Sequence, residues 1–381
     1  MSKLAIIQNG DTPQIESTAL MLRHAGYEVK ICGQELRSQL IEAGLDTVLS
    51  VKTMYALGYD TLDSSIGEAT PRDMEACDLF CEIKVRNVEK LWARWPRLKG
   101  RTVYIRVNGA QPEICPKGGD EVNLPCPVIT ACLWYGSPRY TIQTDGKGNL
   151  TETKGAENHR SGNPTSIEKL RAEHASLKGG DNGMAYTFWP PYPRSAEYDR
   201  IDRSGLTSYE PAYCLAHSAR AWGYGPCIDP CVQMGVKVYG NNAPAGQVSH
   251  RAVPGIAAKA LALVHLKSVD CPGWALYEAM LAGCPVITGR LLNSRMLAYD
   301  LLQDGETCYE FGVPASEEYG RGPMEYERCV EDITAALEKL KDPAENRRIG
   351  ENGRRRLNEL LWRADRDGAG FVEFMRRNYG S

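Results

Sequence analysis

The stretch Asp270-Cys-Pro-Gly-Trp-Ala-Leu-Tyr-Glu278, running on as Ala-Met-Leu-Ala-Gly-Cys-Pro-Val-Ile-Thr288, decides how this chain is read. Two carboxylates, Asp270 and Glu278, bracket it. Pro272 and Gly273 break regular structure, so the segment from Asp270 to Gly273 reads as a loop. Trp274 to Leu281 is rich in strong helix formers and reads as a short helix. Gly283 stops that helix, and Pro285-Val-Ile-Thr288 reads as a buried strand. Just upstream, Ala262-Leu-Val-His-Leu266 reads as a strand, which completes a strand–loop–helix–strand unit. The helix N-terminus of such a unit presents free backbone N–H groups and the positive end of the dipole to an anion. Gly273 lets that anion approach the backbone closely. Glu278, about one turn into the helix, is placed to reach a ribose hydroxyl at the same mouth. The unit therefore suits a sugar carried on a diphosphate.

Working outward, the N-terminal part alternates strand and helix. Leu4-Ala-Ile-Ile-Gln8, Glu28-Val-Lys-Ile-Cys32, Leu79 to Val85, Thr102 to Val107 and Val128 to Trp134 read as strands. Gln14 to Ala25 reads as a helix ended by Gly26, and Trp92 to Leu98 lies between two strands. This alternation predicts a parallel, doubly wound sheet. Ligands in that architecture sit at the carboxyl ends of the strands, which singles out Gly10, Asp11, Lys84, Arg86, Arg106 and Asn108 as acceptor-side candidates. Tyr140 to Thr151 reads as a hairpin around Asp145-Gly146, and polar, glycine-rich sequence follows to Gly183. The three prolines of Thr187-Phe-Trp-Pro-Pro-Tyr-Pro-Arg194 stiffen the chain there and mark the interdomain region. Beyond it, Tyr213 to His217 and Lys237-Val-Tyr239 read as strands that lead to the opening unit. Ala344 to Leu360 and Gly370 to Arg377 read as tail helices.

Bulk properties narrow the class. The chain has 381 residues, enough for two ordinary cores, with 43% hydrophobic and 24% charged residues. No apolar run reaches the 18 or so residues needed to span a bilayer, and the first residues lead straight into a strand without a signal peptide's apolar region. The thirteen cysteines include no pair two residues apart, and no histidine pair accompanies them, so no metal site is expected. Their odd number fits reduced thiols and a cytoplasmic location. A net charge of −3 does not advertise a nucleic-acid partner, although a local basic face is compatible with it.

The opening segment resembles the retaining GT-B glycosyltransferases of the Glu-x7-Glu type (glycosyltransferase family 4-like). Gly273, Glu278-Ala-Met280 and Gly283-Cys-Pro-Val-Ile287 match that signature at its spacing, with Asp270 standing where the family has its first Glu. The resemblance continues in Leu302-Gln-Asp-Gly-Glu-Thr-Cys-Tyr-Glu-Phe311, where Cys308 replaces a Gly, and in Arg348-Ile-Gly-Glu-Asn-Gly-Arg-Arg-Arg356. It covers roughly residues 235 to 360.

The resemblance implies two Rossmann-like doubly wound α/β domains facing a cleft, with a C-terminal helix crossing back to the first. The expected divisions are 1–186 (acceptor side), 187–345 (nucleotide-sugar side) and 346–381 (returning helices). It implies a UDP-sugar donor, glucose being the expected sugar, and retention of configuration without a metal or other cofactor. Glu278 would bond the ribose, and Asp270 the transferred sugar. The alternatives are a helix glutamate that suits the dipole and an N-cap. Lys267, and Arg220 after the first strand of the second domain, would face the diphosphate; the second Lys that the family carries near Arg220 is missing. Gly273, Trp274 and Ala275 open the helix at the donor, and Gly240 and His250 fall where the family approaches the nucleobase. His250 also reads as a surface histidine, and His265 as a core residue.

Trp189, Tyr192, Arg194 and Tyr198 form an aromatic-basic cluster that reads either as a stacking surface or as interdomain packing. Arg354 to Arg356 and Arg376-Arg377 read as solvated helix faces, or as contacts to a phosphate backbone. The Asp-Cys-Pro-Gly-Trp variant looks most like bacteriophage glycosyltransferases, several of which glucosylate hydroxymethylated pyrimidines. The leading expectation is therefore transfer to 5-hydroxymethylpyrimidine in duplex DNA, within the cytoplasm of a bacterial host. The alternatives are a small-molecule or glycan acceptor, and a non-catalytic nucleotide-sugar-binding protein. No membrane insertion is expected.

Overall fold

The computed structural model describes residues 3–8, 12–44, 65–82, 88–106, 127–131, 142–144, 149–152, 185–188, 191–192, 195–215, 225–240, 243–266, 273–289, 301–312, 322–323 and 326–380. In chain order the first part comprises β1 (Lys3–Ile7), α1 (Thr12–His24), β2 (Tyr27–Cys32), α2 (Gln34–Glu42), β3 (Gly67–Ala69), α3 (Pro71–Ala76), β4 (Leu79–Glu82), α4 (Val88–Arg94), β5 (Thr102–Arg106), β6 (Val128–Ala131), the strands β7 (Ile142–Thr144) and β8 (Asn149–Glu152), and β9 (Ala185–Phe188). The second part comprises α5 (Ser195–Asp199), β10 (Tyr213–Leu215), α6 (Ile228–Gln233), β11 (Lys237–Tyr239), α7 (Val253–Lys259), β12 (Leu263–His265), α8 (Gly273–Leu281), β13 (Val286–Gly289), β14 (Tyr309–Phe311) and β15 (Gly322–Pro323), followed by α9 (Tyr326–Leu340), α10 (Pro343–Leu360) and α11 (Ala364–Tyr379).

Two parallel sheets result. The first has seven strands in the order β3-β2-β1-β4-β5-β6-β9, and the second has five in the order β11-β10-β12-β13-β14. The expected α/β fold with two Rossmann-like units is thus what the chain adopts. Strands buried on both faces need apolar residues in succession, which is how Ala5, Ile6 and Ile7, or Leu263 and Val264, become fully buried. The expected hairpin forms, with β7 antiparallel to β8 and Gln143 opposite Thr151. β9 was not anticipated: a short strand set between glycine-rich sequence and prolines, it pairs parallel with β6 and closes the first sheet. α2, β3 and α3 were also missed; β3 and α3, of three and six residues, are too short to show a period.

The tail is seated by glycines. A Cβ on Gly350 would lie 2.0 Å from the carbonyl oxygen of Gly283, and one on Gly353 would lie 2.9 Å from Met280 Cε. α10 therefore rests directly on the turn that ends α8. Gly283 itself holds φ +67° there, a left-handed conformation that glycine adopts at little cost. α11 then reaches the first sheet: it packs on α1, and Trp362 just before it meets His24 edge-on at 5.7 Å. The Tyr379 hydroxyl donates to the backbone oxygen of Thr102 at 2.9 Å. One apolar cluster consequently joins Ile7 and Leu22 to Leu276, Met280 and Phe371.

Arg203 pins the segment between the sheets. It is buried, and its guanidinium donates to the backbone oxygens of Ala257 and Ala260 and to Asn346 Oδ1. The first two close the C-terminus of α7, where a cation complements the helix dipole.

Candidate functional site

Each sheet has one place where the strand order reverses. In the second sheet it lies between β10 and β12, because the chain proceeds from β10 to β11 on one side and then to β12 on the other. In the first it lies between β1 and β4. Crevices beyond the carboxyl ends of parallel strands at such points are where this architecture binds ligands. α8 follows β12, so its N-terminus, opened by Gly273, belongs to the reversal point of the second sheet.

Glu278 is the sixth residue of α8. It does not stand open at the helix mouth: it is fully buried, and the Tyr192 hydroxyl donates to its Oε1 at 2.5 Å. Burial first, and the adjacent Glu278 carboxylate second, push the Tyr192 phenol well above its ordinary range. The phenol thus keeps its proton and remains the donor. Tyr192 lies edge-on to Tyr198 at 5.4 Å and tilted against Trp274 at 5.6 Å, and Trp274 lies 6.1 Å from Tyr277. Tyr192 and Tyr198 therefore serve packing between the chain's two parts, the plainer of the two readings of the aromatic cluster. Trp274, expected to line a donor, is largely buried within the same packing, and Ala275 is half-buried. Trp189 and Arg194 lie outside the described residues.

Of the other donor-side candidates, Asp270, Lys267 and Arg220 lie outside the described residues. Gly240 follows β11 in a loop closed by its own bonds: its N–H donates to the oxygen of Gly246 at 2.9 Å, and that of Ala245 to Val238 at 3.0 Å. His250 opens a short 3-10 turn that leads into α7. His265 is buried, with Nδ1 3.3 Å from Thr288 Oγ1, a core position as anticipated. On the acceptor side Arg106 ends β5, in register with Thr130. Gly10, Asp11, Lys84, Arg86 and Asn108 lie outside the described residues.

Two features escaped sequence reasoning. One is the pairing of Tyr192 with Glu278, which no spacing reveals. The other is Gln8, which ends β1 at the reversal point of the first sheet and is 2% exposed. A polar residue closing an otherwise apolar strand was the signal for it.

The tail arginines are spent on the protein. Arg354 donates to the oxygens of Tyr198 and Ile201, both at 2.9 Å, Arg356 pairs with Glu359, and Arg376 and Arg377 both pair with Glu373. Burial pushes the Cys214 and Cys231 thiols up to about 12, so neither is a nucleophile near neutral pH. Among the described residues no cluster of His, Cys, Asp and Glu could hold a metal ion, and no helix is long and apolar enough to cross a membrane.

No protein-family model and no curated protein matches the sequence. Solved structures do match the fold. A glycosyltransferase from Rickettsia africae aligns with a TM-score of 0.56 at 8% identity, over 99% of each chain. A sucrose-phosphate synthase from Thermosynechococcus elongatus aligns at 0.52 and 13% identity, and Alr3699/HepE from Anabaena, solved with UDP-glucose, at 0.51 and 12%; both alignments cover all of each chain. The architecture shared with them, two parallel-sheet units and a returning helix, is the GT-B fold.

Proposed function

We propose that the protein is a glycosyltransferase that moves a sugar from a UDP-sugar to a hydroxyl acceptor. The observation that carries this reading is the placement of Glu278: a buried carboxylate on the helix that opens at the reversal point of the second sheet, within the signature Gly273 to Ile287. Alr3699/HepE, which shares the fold, was solved with UDP-glucose. In this reading the ribose hydroxyls displace the Tyr192 hydroxyl and donate to Glu278 in its place. The diphosphate lies at the N-terminus of α8, where backbone N–H groups meet the negative charge that develops as it leaves. Lys267 and Arg220 add positive charge, and Asp270 orients the sugar. The bond from the anomeric carbon to the diphosphate oxygen breaks, and one from the acceptor oxygen to that carbon forms on the same face. The acceptor's proton passes to the departing diphosphate. No metal or other cofactor enters the scheme, glucose is the proposed sugar, and the reaction proceeds in the cytoplasm.

For the acceptor, the bacteriophage-like character of 270–278 favours 5-hydroxymethylpyrimidine in duplex DNA. The net charge of −3 and the internally paired tail arginines favour a small hydroxyl compound or glycan instead. Salt separates the two, since binding to a phosphate backbone weakens steeply with ionic strength.

The test is transfer of label from a panel of UDP-sugars to duplex DNA with and without 5-hydroxymethylcytosine, in wild type and in Glu278→Ala. We expect label on the hydroxymethylated duplex from UDP-glucose. In the variant we expect UDP affinity at least about 10-fold weaker and no detectable transfer, the loss of charge-assisted hydrogen bonds being worth roughly that factor or more. Full transfer by Glu278→Ala would remove the centre of this reading. UDP bound with no sugar moved to any acceptor would make the protein a binding module.

A further inference from the structure

Gln8 is buried, with 2% of its surface exposed, and among the described residues neither its Nε2 nor its Oε1 has a hydrogen-bond partner. Its backbone N–H donates to Cys81 at 2.9 Å, continuing the ladder between β1 and β4, so the residue sits at the reversal point of the first sheet. Folded proteins rarely leave a buried amide unmet at both ends. Among the described residues this one does not do so elsewhere. Asn346, equally buried, accepts from Arg203 at 3.0 Å and donates to Leu261 at 2.8 Å and to Leu340 at 3.1 Å.

Glu16, Ser17 and Thr18, in the first half of α1, are buried as well. That helix begins four residues after Gln8 and runs for 13 residues, so the strand end and the helix N-terminus form the first βα turn of the sheet.

We propose that the Gln8 amide is a binding group for the hydroxyl-bearing acceptor, held at the carboxyl edge of the first sheet. The inference rests on the transferase reading and adds to it a residue and a chemical preference. A primary amide offers an acceptor and two donors in one plane. Oε1 takes the O–H of the acceptor, and Nε2 donates to an oxygen or ring nitrogen beside it. The matching ligand is neutral and presents a donor and an acceptor side by side, as vicinal sugar hydroxyls do, or a hydroxymethyl group next to the polar edge of a pyrimidine. A bare carboxylate or phosphate fits poorly, because one of its oxygens would face Oε1.

The test is Gln8→Met, which keeps the length of the side chain and removes its hydrogen bonding. Three quantities are read: the thermal midpoint of the ligand-free protein, the affinity for UDP, and the KM for duplex DNA carrying 5-hydroxymethylcytosine with UDP-glucose as donor. The midpoint is expected to rise by roughly 2 °C, since an unmet buried amide is removed. UDP affinity stays as in wild type, and KM rises about 10-fold. A lower midpoint overturns the proposal, because it means that the amide is paired in solution. An unchanged KM overturns it too, and so does a wild type that binds UDP yet labels no duplex. A wild type that fails to bind UDP counts against the transferase reading itself, and the thermal midpoint still decides whether Gln8 carries an unmet amide.

Discussion

The buried side chains at the two reversal points, Glu278 and Gln8, are met differently. At the second sheet the Glu278 carboxylate is met from within the chain by Tyr192, which arrives from the segment between the sheets. At the first sheet the Gln8 amide is met by no described residue. Both residues are buried, and both belong to reversal points of a parallel sheet. The Glu278 carboxylate has a hydrogen-bond donor from within the chain, and the Gln8 amide has no partner among the described residues. Interactions that hold Glu278 should accordingly stabilise the fold, whereas the group at Gln8 should cost stability.

The sharpest way to break this contrast is to unseat α8. In Gly350→Ala the new methyl would collide with the backbone of Gly283, so α10 must lift from the turn that fixes α8. We expect a loss of about 3 kcal/mol, at the upper end for overpacking, measured by urea denaturation. Wild-type stability in this variant would mean that α10 is not the seat of the helix. A smaller effect comes from Tyr192→Phe, which removes the hydroxyl that donates to Glu278. A loss of about 2 kcal/mol is expected, as for a hydrogen bond to a charged group. Its sign should be opposite to that of Gln8→Met, and equal signs would erase the distinction between the two sheets.

Smallest is an acid effect remote from both sites. Hydrogen bonds first from Arg348 and then from Tyr309 hold the Glu345 carboxyl down at about 2, against an ordinary value of 4.5. A depressed value in the folded state means that the stabilisation is complete above about 4.5 and is lost as pH falls from there towards 2. Because the pair is partly solvated it should amount to less than about 1 kcal/mol. Glu345→Gln should lower stability by up to that amount at neutral pH, where the wild-type pair is complete, leave it almost unchanged near pH 2, and so flatten the acid limb of the profile.

The second sheet was the more legible in sequence. Its signature unit combines a breaker, helix formers, a glycine stop and a β-branched strand, and each is a local cue that the structure obeys from Gly273 to Gly289. Glu278 was placed on its helix by the same cues. Its burial was not legible, because the tyrosine that covers it lies 86 residues away. The first sheet gave up its long strands to the reader but not β3 or β9, whose three and four residues carry too little pattern. Gln8 was read as the last residue of a strand. Only tertiary packing distinguishes a buried glutamine with partners from one without.

The contact between Tyr379 and Thr102 joins residues 277 positions apart. On the ribosome, at about 5–20 residues per second, roughly 14 to 55 seconds separate the making of the two. Until α11 emerges, the face of α1 that it covers has no partner. The first-made sheet is thus the last to be completed, and a stalled or truncated chain would display that face to chaperones and proteases.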